Sequence, residues 1–196
     1  MGKGDETRQA ILERASSLAT RQGLQGLSIG RLADDLGLSK SGLFAHFRSK
    51  DALQAQVVEY VAERFVDRVI RPALRAPRGE PRIRATFEAW LGWLEQRDGH
   101  GCFFVAATAE LDDHPCPARI VLVRHQRDWL DTLANIVRTG IAEQHFRADL
   151  DPEQFAFELY GLMLSYHVCA RLLGDPQGAT RVRASFEALI TRSKRA

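Results

Sequence analysis

Ser28-Ile-Gly-Arg-Leu-Ala-Asp-Asp-Leu-Gly-Leu-Ser-Lys-Ser-Gly-Leu-Phe-Ala-His-Phe-Arg-Ser-Lys50 decides how the rest of the chain is read. Ser28 is a good N-cap, and Ile29, Leu32, Ala33 and Leu36 recur behind it at helical spacing. Gly37 ends that helix, because glycine tolerates the left-handed turn at a helix C-terminus. Ser39 then caps a second helix, with Leu43 and Phe47 turned inward at i and i+4. The outward faces carry Arg31, Lys40, Ser41, Gly42, His46 and Lys50, which are small or basic. Two short helices around a tight turn, with such a face, predict a helix-turn-helix whose second helix enters the DNA major groove.

The candidate contacts follow from that geometry. Lys40, Ser41 and Gly42 occupy the first turn of the second helix, where side chains reach base edges and glycine permits close backbone approach. Ser39, His46 and Lys50 are the phosphate candidates, with Arg31 and Arg48 as possible additions. Ser28 and Phe44 complete the set. The competing reading is a solvated basic face on a helical hairpin.

Ser28–Lys50, followed by Asp51-Ala52-Leu53, resembles the signature of the TetR family of transcriptional regulators. That pattern runs Thr-hydrophobic-x-x-Ile-Ala, Gly-Val-Ser, then Gly-x-Leu-Tyr-x-His-Phe-x-Ser-Lys-Glu-x-Leu. The matched block is 23 of 196 residues. Phe44 stands where the family usually has Tyr, so any phosphate hydrogen bond from that hydroxyl is absent. The resemblance implies a homodimer on operator DNA and an effector pocket in the C-terminal part.

Length and composition agree with a compact protein of one domain or two small ones, at 45% hydrophobic and 27% charged residues. Net charge is only +2, but residues 1–50 hold eight Lys and Arg against five Asp and Glu, a net of +3. No stretch approaches the roughly 20 apolar residues of a membrane span. The N-terminus lacks a signal-peptide core, and three cysteines form no scaffold or zinc pattern. These features predict a cytoplasmic location.

Residues 7–22 read as an amphipathic helix ended by Gly23, buttressing the two that follow. From Asp51 a long helix runs to about Arg71, with Leu53, Val57, Val61 and Phe65 at four-residue spacing, stopped by Pro72 and Pro77. The DNA-binding domain is expected at 1–50 (motif about 28–47) and an effector-binding and dimerisation domain at 51–196, this long helix being shared by both. Helices are predicted over 81–97, 102–112 and 118–145, with a turn cluster at 97–101. Asp151-Pro152-Glu153 is a strong start for a helix to about Leu173, and a last helix spans about 177–192. No strand pattern is present, so the fold class is all-α.

The helix from Asp151 is apolar nearly all round and invites partners from outside the subunit. With the last helix it suggests half of a four-helix dimer interface through Phe155, Leu159, Leu162, Tyr166, Phe186, Leu189 and Ile190. For the effector pocket that the resemblance implies, the aromatic-rich C-terminal part offers Phe87, Trp90, Phe103 and Phe104 as candidates. Trp129, Tyr160, Met163 and His167 join them, against the plainer reading of bundle core. Asp112-Asp113-His114-Pro115-Cys116 offers ligand types without a second cluster, so no metal or other cofactor is expected. Six scattered histidines and no nucleophile elbow or phosphate loop speak against catalysis.

The expectation is a homodimeric regulator on a palindromic double-stranded operator, acting as a repressor and released by a small, largely apolar effector. Two alternatives are a DNA-binding redox sensor using Cys102 or Cys116, and a helical small-molecule binder or enzyme without DNA binding.

Overall fold

The computed structural model describes residues 3–95 and 101–195, and among these it is helical, with no strand and one isolated bridge between Phe146 and Lys194. The turn predicted at 97–101 falls, apart from Gly101, outside the described residues, as does His100. The helices are α1 (Lys3–Gln22), α2 (Ile29–Asp35), α3 (Lys40–Phe47) and α4 (Lys50–Phe65). A π-helical segment, Val66–Ile70, and the short α5 (Arg71–Ala73) prolong α4. Then come α6 (Glu80–Glu95), α7 (Phe103–Leu111), α8 (Pro117–Ala142), α9 (Pro152–Arg171) and α10 (Gly178–Ser193). Pro72 sits inside the run it was expected to end. It stands in the first turn of α5, where a missing N–H costs least.

The described chain divides into two compact units. One takes residues up to Arg64 together with Cys102–His125; the other takes Phe65–Gly101 and Gln126 onward. The seam between these compact units therefore falls within the long α4 run, the helix expected to be shared by both domains. Leu53, Val57, Val58 and Val61 are fully buried, and their side chains belong to the same unit as α1–α3.

In the first unit, Ile11, Leu12, Ala15 and Leu18 of α1 are buried with Leu32, Leu43 and Phe47. Each such large side chain contributes roughly 1.5–3 kcal/mol when removed from water. Leu24 and Leu27, in the α1–α2 loop, are also buried. Arg14 of α1 gives both Nε and a terminal nitrogen to Asp35 Oδ2, at 3.1 and 2.7 Å, tying α1 to the end of α2.

The second unit is an aromatic core. Phe65 meets Trp93 and Trp129 edge-on, at ring-centre distances of 5.5 and 5.0 Å. Phe87 stacks on Phe186 at 4.0 Å. Arg84 of α6 forks onto Glu187 of α10 at 2.5 and 2.9 Å, and also holds Glu80 at 2.9 Å. Glu80 also pairs with Lys194 at 3.1 Å. Burial alone would raise the Glu80 carboxyl's pKa, but hydrogen bonds from Arg84 and Lys194 outweigh it and leave the pKa lowered.

Candidate nucleic-acid interface

The two caps predicted from sequence set the geometry of α2 and α3. Ser28 is extended (φ −114°, ψ 122°) and its oxygen accepts the Arg31 N–H at 3.4 Å. Gly37, at φ +64°, makes the reversal, and Leu38 N–H returns to the Ala33 carbonyl at 2.9 Å. Ser39 is extended again, and its Oγ accepts the Gly42 N–H at 3.0 Å while lying 3.1 Å from Ser41 Oγ. A Cβ on Gly42 would come within 3.1 Å of that Oγ, so this glycine also makes room for the cap.

Leu43 and Phe47 anchor α3 in the core, with the Arg8 guanidinium 5.8 Å from the Phe47 ring centre. The opposite side presents Lys40 and Ser41 exposed, Gly42 and His46 partly exposed, and Phe44 at 45% exposure. The stem of Lys40 lies across α2, where a Cβ on Gly30 would be 3.1 Å from Lys40 Cε. Arg31 reaches the Gln22 side chain at 3.4 Å. Arg48 closes α3 in a backbone conformation that favours glycine, φ +62° and ψ −36°, donating its N–H to Phe44 at 2.8 Å.

Lys50, expected as a phosphate contact, has a partner within the fold. Its ammonium donates to the Gln25 carbonyl at 2.7 Å. It is one part of a clamp on the α1–α2 loop. The Glu110 carboxylate at the end of α7 accepts the Leu24 N–H at 2.7 Å and the Gln25 N–H at 2.8 Å, and the Glu110 carbonyl takes the Gln25 side-chain amide at 3.2 Å. Gln54, buried on α4, donates to the Leu24 carbonyl at 2.8 Å. Glu110 and Gln54 carry no motif, and only their partners 85 and 30 positions away reveal them.

Beside the clamp opens a cleft of about 280 Å3, lined by Gln25, Lys50, Asp51, Gln54 and Leu111 and by His114-Pro-Cys-Pro117. Cys116 is therefore at a cleft wall and partly exposed, while Cys102 is buried; both are free thiols, as is Cys169. Among the described residues no three His, Cys, Asp or Glu side chains come together as a metal site.

Of the arginines on α8, Arg124 pairs with Glu59 of α4, which also bonds His125 at 2.7 Å. Burial opposes ionisation of Glu59, but the His125 and Arg124 hydrogen bonds prevail and hold its carboxyl below the ordinary value. Arg119 donates to the Asp112 carbonyl at 3.0 Å.

The effector-pocket candidates divide between the units. Phe103 (buried) and Phe104 (half-buried) belong to the first; Phe87, Trp90, Trp129 and Met163 are buried in the second, with Tyr160 and His167 half-buried. The Nδ1 of His167 is enclosed and makes no hydrogen bond within the described residues. Burial, and then the nearby Arg171 charge, push the His167 pKa down.

The residues expected at a dimer face lie largely within the chain's own core. Phe155, Leu159, Phe186, Leu189 and Ile190 are all buried in their own protomer, Phe155 against Phe146 with ring centres 5.9 Å apart. Leu162 and Tyr166 are half-buried, Tyr166 lying edge-on to Trp90 at 5.8 Å. A helix apolar on every side gives its sequence no label for the inward face. The exposed stripe of α9 carries Phe157, Gly161 and Val168, with Leu172 just past its end.

Residues 11–57 match the family described as "Bacterial regulatory proteins, tetR family", and residues 79–186 match "Tetracyclin repressor-like, C-terminal domain". The HTH-type transcriptional repressor DhaR of Mycobacterium sp. (strain GP1) is 25% identical over 151 residues, covering 76% of this chain and 74% of that protein. The HTH-type transcriptional repressor KstR2 of Mycobacterium tuberculosis is 27% identical over 156 residues, again 76% of this chain and 74% of that one. The crystal structure of a TetR transcriptional regulator from Chloroflexus aurantiacus superposes with a TM-score of 0.85 at 26% identity, covering 97% of this chain and 96% of that one.

Proposed function

The chain belongs to the TetR family of DNA-binding transcriptional regulators, and on that premise we propose that it is a homodimeric repressor of a palindromic operator. Proteins of this family are regulators and not enzymes. Among the described residues no helix is long and apolar enough to cross a membrane, and we place its work in the cytoplasm. The observation that carries the reading is α3 itself, anchored by Leu43 and Phe47 while Lys40, Ser41 and Phe44 stand outward at groove-reading positions.

Repression is supported by two relatives that are repressors by name. Dimerisation is supported by the apolar stripe of α9, with Phe157 70% and Leu172 80% exposed. An effector for the C-terminal part would be largely apolar with one polar group, met by the Nδ1 of His167, which has no hydrogen-bond partner among the described residues. The domain division follows function: the head that reads DNA is residues 1–50, and residues 51–196 bind effector and dimerise.

Selection of a binding site from random duplexes, followed by fluorescence anisotropy across salt, tests the reading. A palindromic site should emerge, with log affinity falling steeply against log salt. Lys40→Ala should weaken the selected site by about 1–3 kcal/mol if it reads a base. Failure to enrich any duplex would overturn it.

A further inference from the structure

The cleft beside the α1–α2 loop holds hydrogen-bonding capacity that the fold does not use. Ser16, Gln54, Thr86 and Ser193 are the buried polar side chains among the described residues. Ser16, Thr86 and Ser193 each give their hydroxyl to a carbonyl of their own helix. Gln54 differs. Its Nε2 donates to the Leu24 carbonyl, which fixes the orientation of the amide, and its Oε1 has no donor among the described residues. Gln54 lines the cleft, where that oxygen can accept from a bound group.

Asp51 stands three positions before Gln54 on α4, so the two share a helix face. Its carboxylate also lines the cleft and forms no ion pair or hydrogen bond among the described residues. Two vacant acceptors on one face ask for a group rich in N–H. A primary ammonium, with three donors, meets that demand.

The same cleft carries two donors. The His114 imidazole has no partner among the described residues, and Lys50 spends one N–H on the Gln25 carbonyl and keeps the others. Donors of this kind suit a carboxylate. A cation alone would meet Lys50, and an anion alone would meet Asp51. A molecule carrying both charges answers both. The volume of about 280 Å3 lies at the small end of ligand sites, and Leu111, Pro115 and Pro117 supply apolar wall.

We propose that this cleft binds a free α-amino acid. Its ammonium is taken by Asp51 and Gln54, and its carboxylate by Lys50 and His114. A bound carboxylate draws the Lys50 ammonium toward itself and away from the Gln25 carbonyl, so occupancy loosens the clamp on the α1–α2 loop. The resulting loss of operator affinity rests on the DNA-binding reading above; the binding event does not.

The test is isothermal titration calorimetry of the full chain, without DNA, against the twenty standard amino acids. At least one should bind, and its N-acetyl and methyl ester derivatives should each bind at least about tenfold more weakly, since each loses one charge-assisted contact. Asp51→Asn should weaken binding by a similar factor. His114→Ala is the second variant, should Asp51→Asn disturb the start of α4. Heat from none of the twenty, or affinity unmoved by both substitutions, overturns the proposal. Because no DNA is present, that failure is separate from a failure to bind operator.

Discussion

The carboxylate of Glu110, at the end of α7, holds the backbone N–H of Leu24 at 2.7 Å across 86 positions of sequence. The same carboxylate takes the next N–H, of Gln25, so the loop leading into the DNA-reading helices is fastened by one side chain. Glu110→Ala should destabilise the chain by about 1–3 kcal/mol in urea unfolding, because two backbone donors lose a charged acceptor. Hydrogen exchange should localise the loss to the amides of Leu24 and Gln25. Gly23→Ala should reproduce it, since Gly23 sits at φ +88° and a Cβ there would fall 2.5 Å from Glu110 Oε1.

Arg48 bears a backbone conformation that costs a non-glycine residue about 1–2 kcal/mol. Arg48→Gly should therefore raise the unfolding free energy by about 1 kcal/mol. If its guanidinium meets a phosphate, the same variant lowers the salt slope of operator binding by about 1. A slope equal to wild type would remove Arg48 from the DNA contacts.

Phe44→Tyr restores a hydroxyl on an exposed ring of α3. A new phosphate hydrogen bond would tighten operator binding by about 0.5–1.5 kcal/mol, with thermal stability unchanged. Equal affinity for both side chains would mean that this ring does not face the backbone of DNA.

His167 gives the stability a pH dependence of definite sign. Its folded pKa lies below the ordinary 6.5, through burial and then the Arg171 charge. The unfolded chain thus binds more protons over this range, and stability rises with pH. The contribution is complete above about 6.5 and is lost as pH falls from there toward the folded pKa. Urea titrations at pH 7.5, 6.5 and 5.5 should show the loss in wild type and a smaller one in His167→Gln.

Phe157→Arg should convert a dimer to monomers by light scattering after gel filtration, with helicity retained, because this ring is exposed in the protomer. Leu159→Ala should act differently. It cuts into the protomer's own core and should cost about 2–5 kcal/mol of stability.

Local chemistry carried most of what could be read in advance. The Ser28 and Ser39 caps, the Gly37 reversal and the Asp151-Pro152 start are set by residues within one turn of their effect. Their periodic apolar partners, Leu43 with Phe47 and Leu53 with Val57, are inward as spacing requires. Glu110 and Gln54 were illegible because their partners come from other helices and no spacing announces them. The inward and outward faces of α9 were illegible for another reason. Phe155 and Phe157 are equally apolar in sequence, and only packing against Phe146 separates the buried one from the exposed one. Lys50 was placed correctly at the head of α4, but which oxygen it would meet depended on a loop folded back from α1.

The four-residue repeat of the α4 run has a geometric consequence. An α-helix turns about 100° per residue, so a step of four overshoots a full circle by about 40°. Leu53, Val57, Val61, Phe65 and Val69 therefore trace a slow spiral around the rod instead of a straight seam. Its first three members are buried in one compact unit and its last two in the other. The π-helical turn at Val66–Ile70, within the second unit, winds more loosely, with longer i to i+5 closures, and slows the spiral there. One monotonous pattern thus serves two interiors, and neither could lose the rod without exposing its own share of that thread.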